Sequence, residues 1–174
     1  ETAGLFHGLQ GSPLDAKKTA VLDLSVGSSF SAKSEGMSLE EQQKNFDAYL
    51  IEKNAEIGIG KYAEVRSFYA AEEFLNNSLD GEEKRTIHLG IDVFVPAGTS
   101  IYAPIEGVVH QLQDNHSKLD YGPTVILKHQ PVDGPVFYTL YGHLGRECLK
   151  QLKIGQNISG GMALAKTGYS NENG

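Results

Sequence analysis

The chain has 174 residues, of which 40% are hydrophobic and 21% charged, and its formal net charge is −7 at pH 7. A chain of this length is long enough to bury a core, as one soluble domain or as a domain with an appendage. The negative charge argues against a nucleic-acid surface, because phosphate binding needs clustered Lys and Arg. The apolar runs are too short to insert into a membrane. Cys148 is the single cysteine, so an internal disulfide is excluded.

The N-terminal part is predicted to be a small α+β region. "TAVLDLSVGSSF", residues 19–30, is typical of one strand. A helix is predicted over about 38–56, because Ser38 is a suitable N-cap, Glu41 completes a capping box and Gly58 follows as a stop. The polar run "NNSLDGEEKR", residues 76–85, is expected to form a loop.

From Thr86 onward the sequence changes to short β-rich runs separated by Gly or Pro turn signals. Such runs, without helices between them, predict antiparallel sheets packed as a barrel or sandwich. The chain is therefore expected to be mainly β, an antiparallel core carrying an N-terminal α+β appendage. The predicted strands are "IHLGIDVFV", "SIYAP", "GVVHQLQ", "TVILKHQ", "VFYTLYGHL" and "MALAKTG".

The first of these strands carries two potential metal ligands. His88 and Asp92 share one face, and Gly90 between them leaves room for an ion to approach. A neutral imidazole and a carboxylate are both good zinc ligands. The alternative is a core histidine that is hydrogen-bonded to the aspartate. The opposite face of this strand, which otherwise looks like core, is formed by Leu89, Ile91 and Val93.

A second strand carries Tyr141 and His143 on one face, again with a glycine between them. Beside a zinc ion, a tyrosine and a histidine could stabilise an oxyanion and transfer protons at a metal-activated water. The alternative is an aromatic strand end followed by an exposed histidine. These two residues are the candidate catalytic groups.

The other histidines and the cysteine show no pattern that indicates a catalytic role. His110 and His129 are expected to be partly exposed strand residues, and His116 to lie in a solvated loop. Cys148 has no local signature of a reactive thiol and is expected to be half-buried.

Four segments carry a family resemblance: "HLGIDVFVPAGTSIYAPIEGVV", "GPTVILKH", "YTLYGHL" and "LKIGQNISGGMALAKTG". In this order they resemble the lysostaphin/LytM-type zinc metallopeptidases, which are peptidoglycan endopeptidase-like, over roughly residues 85–174. The resemblance implies an antiparallel core of the barrel-sandwich (duplicated hybrid motif) type over 81–174, with 1–80 as the appendage. It also implies that His88 and Asp92 are the first two zinc ligands, and that His143 acts beside the metal-bound water.

The implied reaction is hydrolysis of a peptide bond, with Zn²⁺ as cofactor and a peptide or peptidoglycan-like substrate. The family's last motif, His-x-His, supplies the third zinc ligand and another catalytic histidine. It is expected a few residues after "TGYSNENG", so the core is expected to be truncated at its C-terminal end.

The segments "GKYAEVRSFY" and "RTIHLGIDVF" are similar to a peptidase-like module of long multidomain chains. This similarity implies partners among other domains of the same parent chain. It also makes Tyr62 and Arg66 candidate substrate contacts; the alternative is a packed tyrosine and a surface arginine. Without a signal-peptide pattern, and with a single cysteine, a cytoplasmic location is expected, although most relatives are periplasmic or extracellular.

Two other functions compete with a peptidase. One is a catalytically inactive binding or scaffold module that keeps the peptidase fold. The other is a phosphocarrier using His88, because "HLGID" is similar to the phosphorylated-histidine motif of the sugar-phosphotransferase IIA domains. Those domains need a second histidine before the first, where this chain has Glu73. They also place the "AP-x-x-G" strand before the histidine rather than after it.

Overall fold

The computed structural model describes residues 18–34, 36–66, 75–78, 81–84, 87–117 and 120–172. They belong to two compact units: the N-terminal unit ends at Val95 and the C-terminal unit begins at Pro96. The domain boundary expected near residue 80 stays a prediction, because compactness does not show which segment folds independently. No helix in the described part of the chain is long and apolar enough to cross a membrane.

The N-terminal unit begins with two parallel strands joined through two helices. Parallel strands need a long crossover, and the helices provide it. The pairing runs from Thr19 opposite Ile57 to Leu22 opposite Gly60. The elements are β1 (Thr19–Leu22), α1 (Ser29–Ser34), α2 (Leu39–Glu52) and β2 (Ile57–Gly60).

The capping box predicted for α2 is confirmed. The Ser38 side chain accepts the Glu41 N–H, and the Glu41 carboxylate accepts the Ser38 N–H at 2.8 Å. The helix ends earlier than predicted, at Glu52, because Asn54 adopts a left-handed conformation with φ of 51°. Asparagine tolerates this conformation and ends a helix as glycine does. The predicted stop, Gly58, instead lies in β2.

Gly58 is required by packing rather than by backbone conformation. A Cβ there would lie 2.5 Å from Leu22 Cδ1 and 3.0 Å from the Phe46 ring. The Phe46 ring also packs against Phe94, with the ring centroids 4.9 Å apart. This close approach lets α2 cover the sheet, since interiors are close-packed.

The rest of the N-terminal unit consists of short strands: β3 (Glu64–Val65), β4 (Leu75–Ser78), β5 (Gly81–Lys84), β6 (Ile87–His88) and β7 (Asp92–Phe94). The β4 and β5 strands form an antiparallel hairpin, so the predicted loop over 76–85 is wrong. The β6 strand pairs with β3, whereas β7 pairs with β2. The predicted strand "IHLGIDVFV" is therefore interrupted where the chain passes from one partner to the other.

This interruption changes the face that was expected to be core. Leu89 and Ile91 lie between the two short strands and are 71% and 65% exposed. The expectation that they lie in a buried run is wrong, because strand alternation buries a face only where the strand pairs and packs continuously. The even positions, His88 and Asp92, are the more protected ones.

The C-terminal unit contains β8 (Ser100–Tyr102), β9 (Gly107–Asn115), β10 (Gly122–His129), β11 (Phe137–Tyr141), α3 (Cys148–Gln151), β12 (Asn157–Ile158) and β13 (Ala163–Lys166). Four strands form an antiparallel sheet in the order β11-β10-β9-β12, and β8 pairs antiparallel with β13. The strands predicted in this region are present, while β12 was not predicted. The mainly β class with an antiparallel core and an N-terminal α+β part is confirmed.

One apolar cluster forms the core of the C-terminal unit. The strands contribute alternate side chains to it, as expected for a sheet with one buried face. Leu144 and Cys148, which follow β11, also belong to the cluster. Its other members are Ile101, Ala103, Val109, Val125, Leu127, Leu152, Ile158, Leu164 and Ala165.

Burial of Cys148, which is 1% exposed, raises the pKa of its thiol from 9.0 to about 11. The thiolate therefore forms more readily in the unfolded chain than in the folded one. Stability from the neutral thiol is complete below pH 9 and is lost as the pH rises towards 11. We expect the free energy of unfolding to fall by up to ~3 kcal/mol over this range from this group.

Urea denaturation at pH 7, 9 and 11 tests this prediction, with Cys148→Ala as the control. The wild-type protein should lose more stability than the variant between pH 9 and 11. Equal losses in both proteins would contradict it.

Candidate active site

The two predicted zinc ligands lie side by side in the N-terminal unit. His88 ends β6, Asp92 begins β7, and His88 Nε2 is 3.3 Å from Asp92 Oδ1. A Cβ on Gly90 would lie 2.7 Å from His88 Nε2, closer than real Cβ contacts allow. Only glycine therefore fits at this position beside the His88 ring.

The ionisation of His88 suits a ligand role. Burial lowers the pKa of His88 below its usual 6.5, and the nearby Asp92 carboxylate only partly opposes this effect. The imidazole is therefore mostly neutral at pH 7, which leaves a ring nitrogen available to a cation. A nitrogen donor and a carboxylate oxygen at this separation fit zinc, whose bonds to such atoms are about 2.0–2.2 Å long.

A network of charged groups holds the other oxygen of Asp92. Arg66 Nη2 donates to Asp92 Oδ2 at 2.6 Å and to Glu64 Oε2 at 2.7 Å. Arg66 Nε is also 3.2 Å from Glu64 Oε2, and the second Glu64 oxygen accepts the Leu24 N–H at 3.0 Å. Buried carboxylates need such partners, since an isolated buried charge is costly.

The network is itself protected from water. The exposed fractions of the Glu64 and Arg66 side chains are 4% and 12%. Burial alone would lower the pKa of Arg66, but its bonds to Glu64 and the charge of Asp92 outweigh this effect, and the pKa is raised. Arg66 thus stays a cation beside both carboxylates.

The metal-ligand set is incomplete within the described residues. Among them, no three His, Cys, Asp or Glu side chains converge as a metal site would require. Zinc sites use at least three protein ligands. His88 and Asp92 therefore form part of a potential site.

In the C-terminal unit, Tyr141 ends β11 and His143 follows the strand in a bend, so the prediction that the two share one strand face is wrong. Burial raises the pKa of Tyr141, so its hydroxyl is protonated at neutral pH. This hydroxyl forms a 3.3 Å hydrogen bond with the Thr139 hydroxyl, and the Tyr141 ring packs against the core cluster. The His143 side chain is exposed, and its ring lies 5.9 Å from the Tyr121 ring.

The backbone of His143 adopts a conformation that few residues other than glycine accept. Its φ is +56°, in the left-handed region. The His143 N–H donates to the Tyr121 carbonyl at 2.7 Å, and the His143 carbonyl accepts the Gly168 N–H at 2.9 Å. Such strained positions persist where neighbouring bonds fix them, and they cluster at functional sites.

His129 is buried in the C-terminal unit. This residue is 2% exposed, so the expectation of partial exposure is wrong. Its Nδ1 lies 2.7 Å from the Glu106 carbonyl oxygen and its Nε2 2.7 Å from the Thr139 hydroxyl, which also contacts Tyr141. The alternation of buried side chains along β10 indicates that His129 is buried, because residue 129 has the same parity as the buried Val125 and Leu127.

Within the described part of the chain, Tyr62, His110 and His116 have no observed contact with the candidate ligands or with the candidate catalytic residues. Tyr62 lies in the turn after β2 and is 63% exposed. His110 is exposed and packs against Tyr138, with the ring centroids 4.9 Å apart, and His116 is exposed. His7 lies outside the described residues.

The partners of His129 predict its tautomer. A carbonyl oxygen accepts hydrogen bonds but cannot donate one, so His129 must carry its proton on Nδ1 to bond Glu106. We expect the Nδ1–H form in two-bond ¹H–¹⁵N correlation spectra, with exposed His110 as the internal comparison. A neutral ring protonated on Nε2 would contradict the observed geometry.

Comparison with known proteins identifies the family. The model of peptidase family M23 matches residues 86–174, about half of the chain. No curated protein matches the chain at a significant level. Among solved structures, the chain is similar to a provisionally assigned peptidase M23 from Pseudomonas aeruginosa, with 22% identity, a TM-score of 0.38 and coverage of 80% of this chain. The chain spans 54% of that structure's length. On the match to residues 86–174, this chain belongs to peptidase family M23.

Proposed function

We propose that the chain forms a zinc-dependent peptidase domain that hydrolyses a peptide bond. One observation carries the proposal: His88 Nε2 and Asp92 Oδ1 lie 3.3 Å apart, next to Gly90, where a Cβ would lie 2.7 Å from His88 Nε2. Membership of a peptidase family supports a hydrolase over a phosphocarrier.

His88 and Asp92 are proposed as two ligands of the zinc ion. When bound, zinc polarises the scissile carbonyl and lowers the pKa of water enough to make a nucleophile near neutral pH. His88 contributes a neutral nitrogen and Asp92 a charged oxygen. His88 and Asp92 are four residues apart on two short strands, β6 and β7, and paired strands hold such donors in fixed orientations, which suits a metal site.

His143 is proposed to move the proton during hydrolysis. Its side chain is exposed while its backbone is bonded on both sides, so an accessible imidazole projects from a fixed backbone. It would accept a proton from the attacking water and return it to the leaving amine nitrogen. Tyr141, protonated at neutral pH, is proposed as a hydrogen-bond donor to the oxyanion.

The proposed substrate is a peptide of the peptidoglycan cross-link type, which the lysostaphin/LytM-type resemblance implies. Tyr62 is exposed and remains a candidate substrate contact. Other domains of a parent chain are the proposed partners. A folded domain that binds peptide without cleaving it would instead favour the inactive-module alternative.

Zinc content per chain tests the metal proposal. We expect near-stoichiometric zinc in the native protein and its loss in Asp92→Ala, which removes a ligand. Gly90→Ala should lower zinc affinity at least tenfold, because its Cβ would lie 2.7 Å from His88 Nε2. Gly145→Ala is the matched control, since its nearest neighbouring atom is 3.4 Å away. A wild-type protein without zinc would overturn the proposal.

The variant His143→Asn separates catalysis from folding. Asparagine tolerates the left-handed backbone at this position, so the free energy of unfolding should change by less than about 1 kcal/mol. Removing the imidazole should slow cleavage of a cross-link peptide by roughly 10²–10⁴-fold. Thermal unfolding and a chromatographic cleavage assay provide the two measurements. Unchanged cleavage in the folded variant would exclude His143 as the proton-transfer group.

A further inference from the structure

We infer that Arg66, held by Glu64, is a positioning residue that makes Asp92 offer a single oxygen to the metal. The inference rests on the proposed zinc site and adds residues outside its ligand set. Arg66 was a candidate substrate contact, but its guanidinium forms ion pairs with the carboxylates of Glu64 and Asp92.

The two carboxylate oxygens of Asp92 have different partners. Oδ2 accepts from Arg66 Nη2 at 2.6 Å, and Oδ1 lies 3.3 Å from His88 Nε2. A carboxylate that is free to rotate can bind a cation through both oxygens. With Oδ2 occupied by the guanidinium, Asp92 presents only Oδ1, and a coordination position remains for water or substrate, as catalytic zinc requires.

Glu64 explains why a cation can lie so close to a metal site. Arg66 next to Asp92 alone would cancel the negative charge that attracts zinc. Glu64 restores it, since the three residues together carry a formal charge of −1. Glu64 also fixes Arg66 through both Nε and Nη2, at 3.2 and 2.7 Å. Such outer hydrogen bonds commonly orient metal ligands.

The strand pairing places the network directly across from both ligands. Glu64 is opposite His88 in the β3–β6 pair, and Gly60 is opposite Asp92 in the β2–β7 pair. A Cβ on Gly60 would lie 3.2 Å from both Arg66 Nη2 and Asp92 Oδ2. The β2 backbone therefore leaves the space in which the Arg66–Asp92 pair forms.

The test is a charge-matched double variant of the full native protein, Glu64→Gln/Arg66→Gln. It removes one negative and one positive charge, so the charge around the metal is unchanged while Asp92 loses its guanidinium partner. Zinc affinity is measured by competition with a chromogenic chelator, and the coordination number by the visible absorption of the Co²⁺-substituted protein. The control is Lys18→Gln/Glu56→Gln, which removes an exposed ion pair of 2.7 Å in the same unit.

We expect the double variant to bind zinc 10–100-fold more weakly than wild type, with the control unchanged. Its Co²⁺ absorption should weaken, because a second Asp92 oxygen raises the coordination number. A merely structural role of Arg66 would leave the Co²⁺ spectrum of the folded variant unchanged. Wild-type affinity and spectrum in the double variant would overturn the inference alone, whereas a wild-type protein that binds no zinc would overturn the proposed function with it.

Circular dichroism establishes whether the double variant folds. If it does not, Arg66→Lys decides the question, because lysine keeps the charge but lacks the planar fork that bonds both carboxylates. Arg66→Lys should still lower zinc affinity and change the Co²⁺ spectrum. Wild-type values in that variant would overturn the inference.

Discussion

The candidate metal ligands depend on one ionic interaction, the guanidinium of Arg66 between the carboxylates of Glu64 and Asp92. Two carboxylates so close together and sheltered from water would repel each other without a cation. Arg66 supplies that cation, and its planar group fixes the direction of Asp92. The position of Asp92 relative to His88 follows from this interaction together with the pairing of two short strands.

The C-terminal unit meets a different constraint, which is to fix the strained backbone of an exposed histidine that follows a strand. Backbone bonds to Tyr121 and Gly168 keep His143 in its left-handed conformation. At the other end of the β10–β11 pair, the buried His129 joins the Glu106 carbonyl to Thr139, and Thr139 contacts Tyr141. Buried polar groups joined in this way rigidify their surroundings, because an unmade bond in the interior is costly.

Sequence patterns predicted those features that are set by neighbouring residues. The capping box of Ser38 and Glu41 is such a feature, since its bonds form within one helical turn. The need for glycine beside His88 is another, because Gly90 lies two residues away along the same segment. The end of α2 was harder to place, because Asn54 and Gly58 both suit a helix stop and packing of Gly58 against Leu22 and Phe46 put it in a strand.

The exposure of Leu89 and that of Ile91 could not be predicted from local pattern alone. Both depend on which strands pair and where a sheet is covered, and these contacts join residues far apart in the chain. The sequence by itself determined the β-rich class, the presence of His88 and Asp92 as candidate ligands and the motifs of the M23 family. Only the tertiary structure decided that Arg66 and Glu64 lie beside His88 and Asp92, because strand pairing brings these residues together from separate segments.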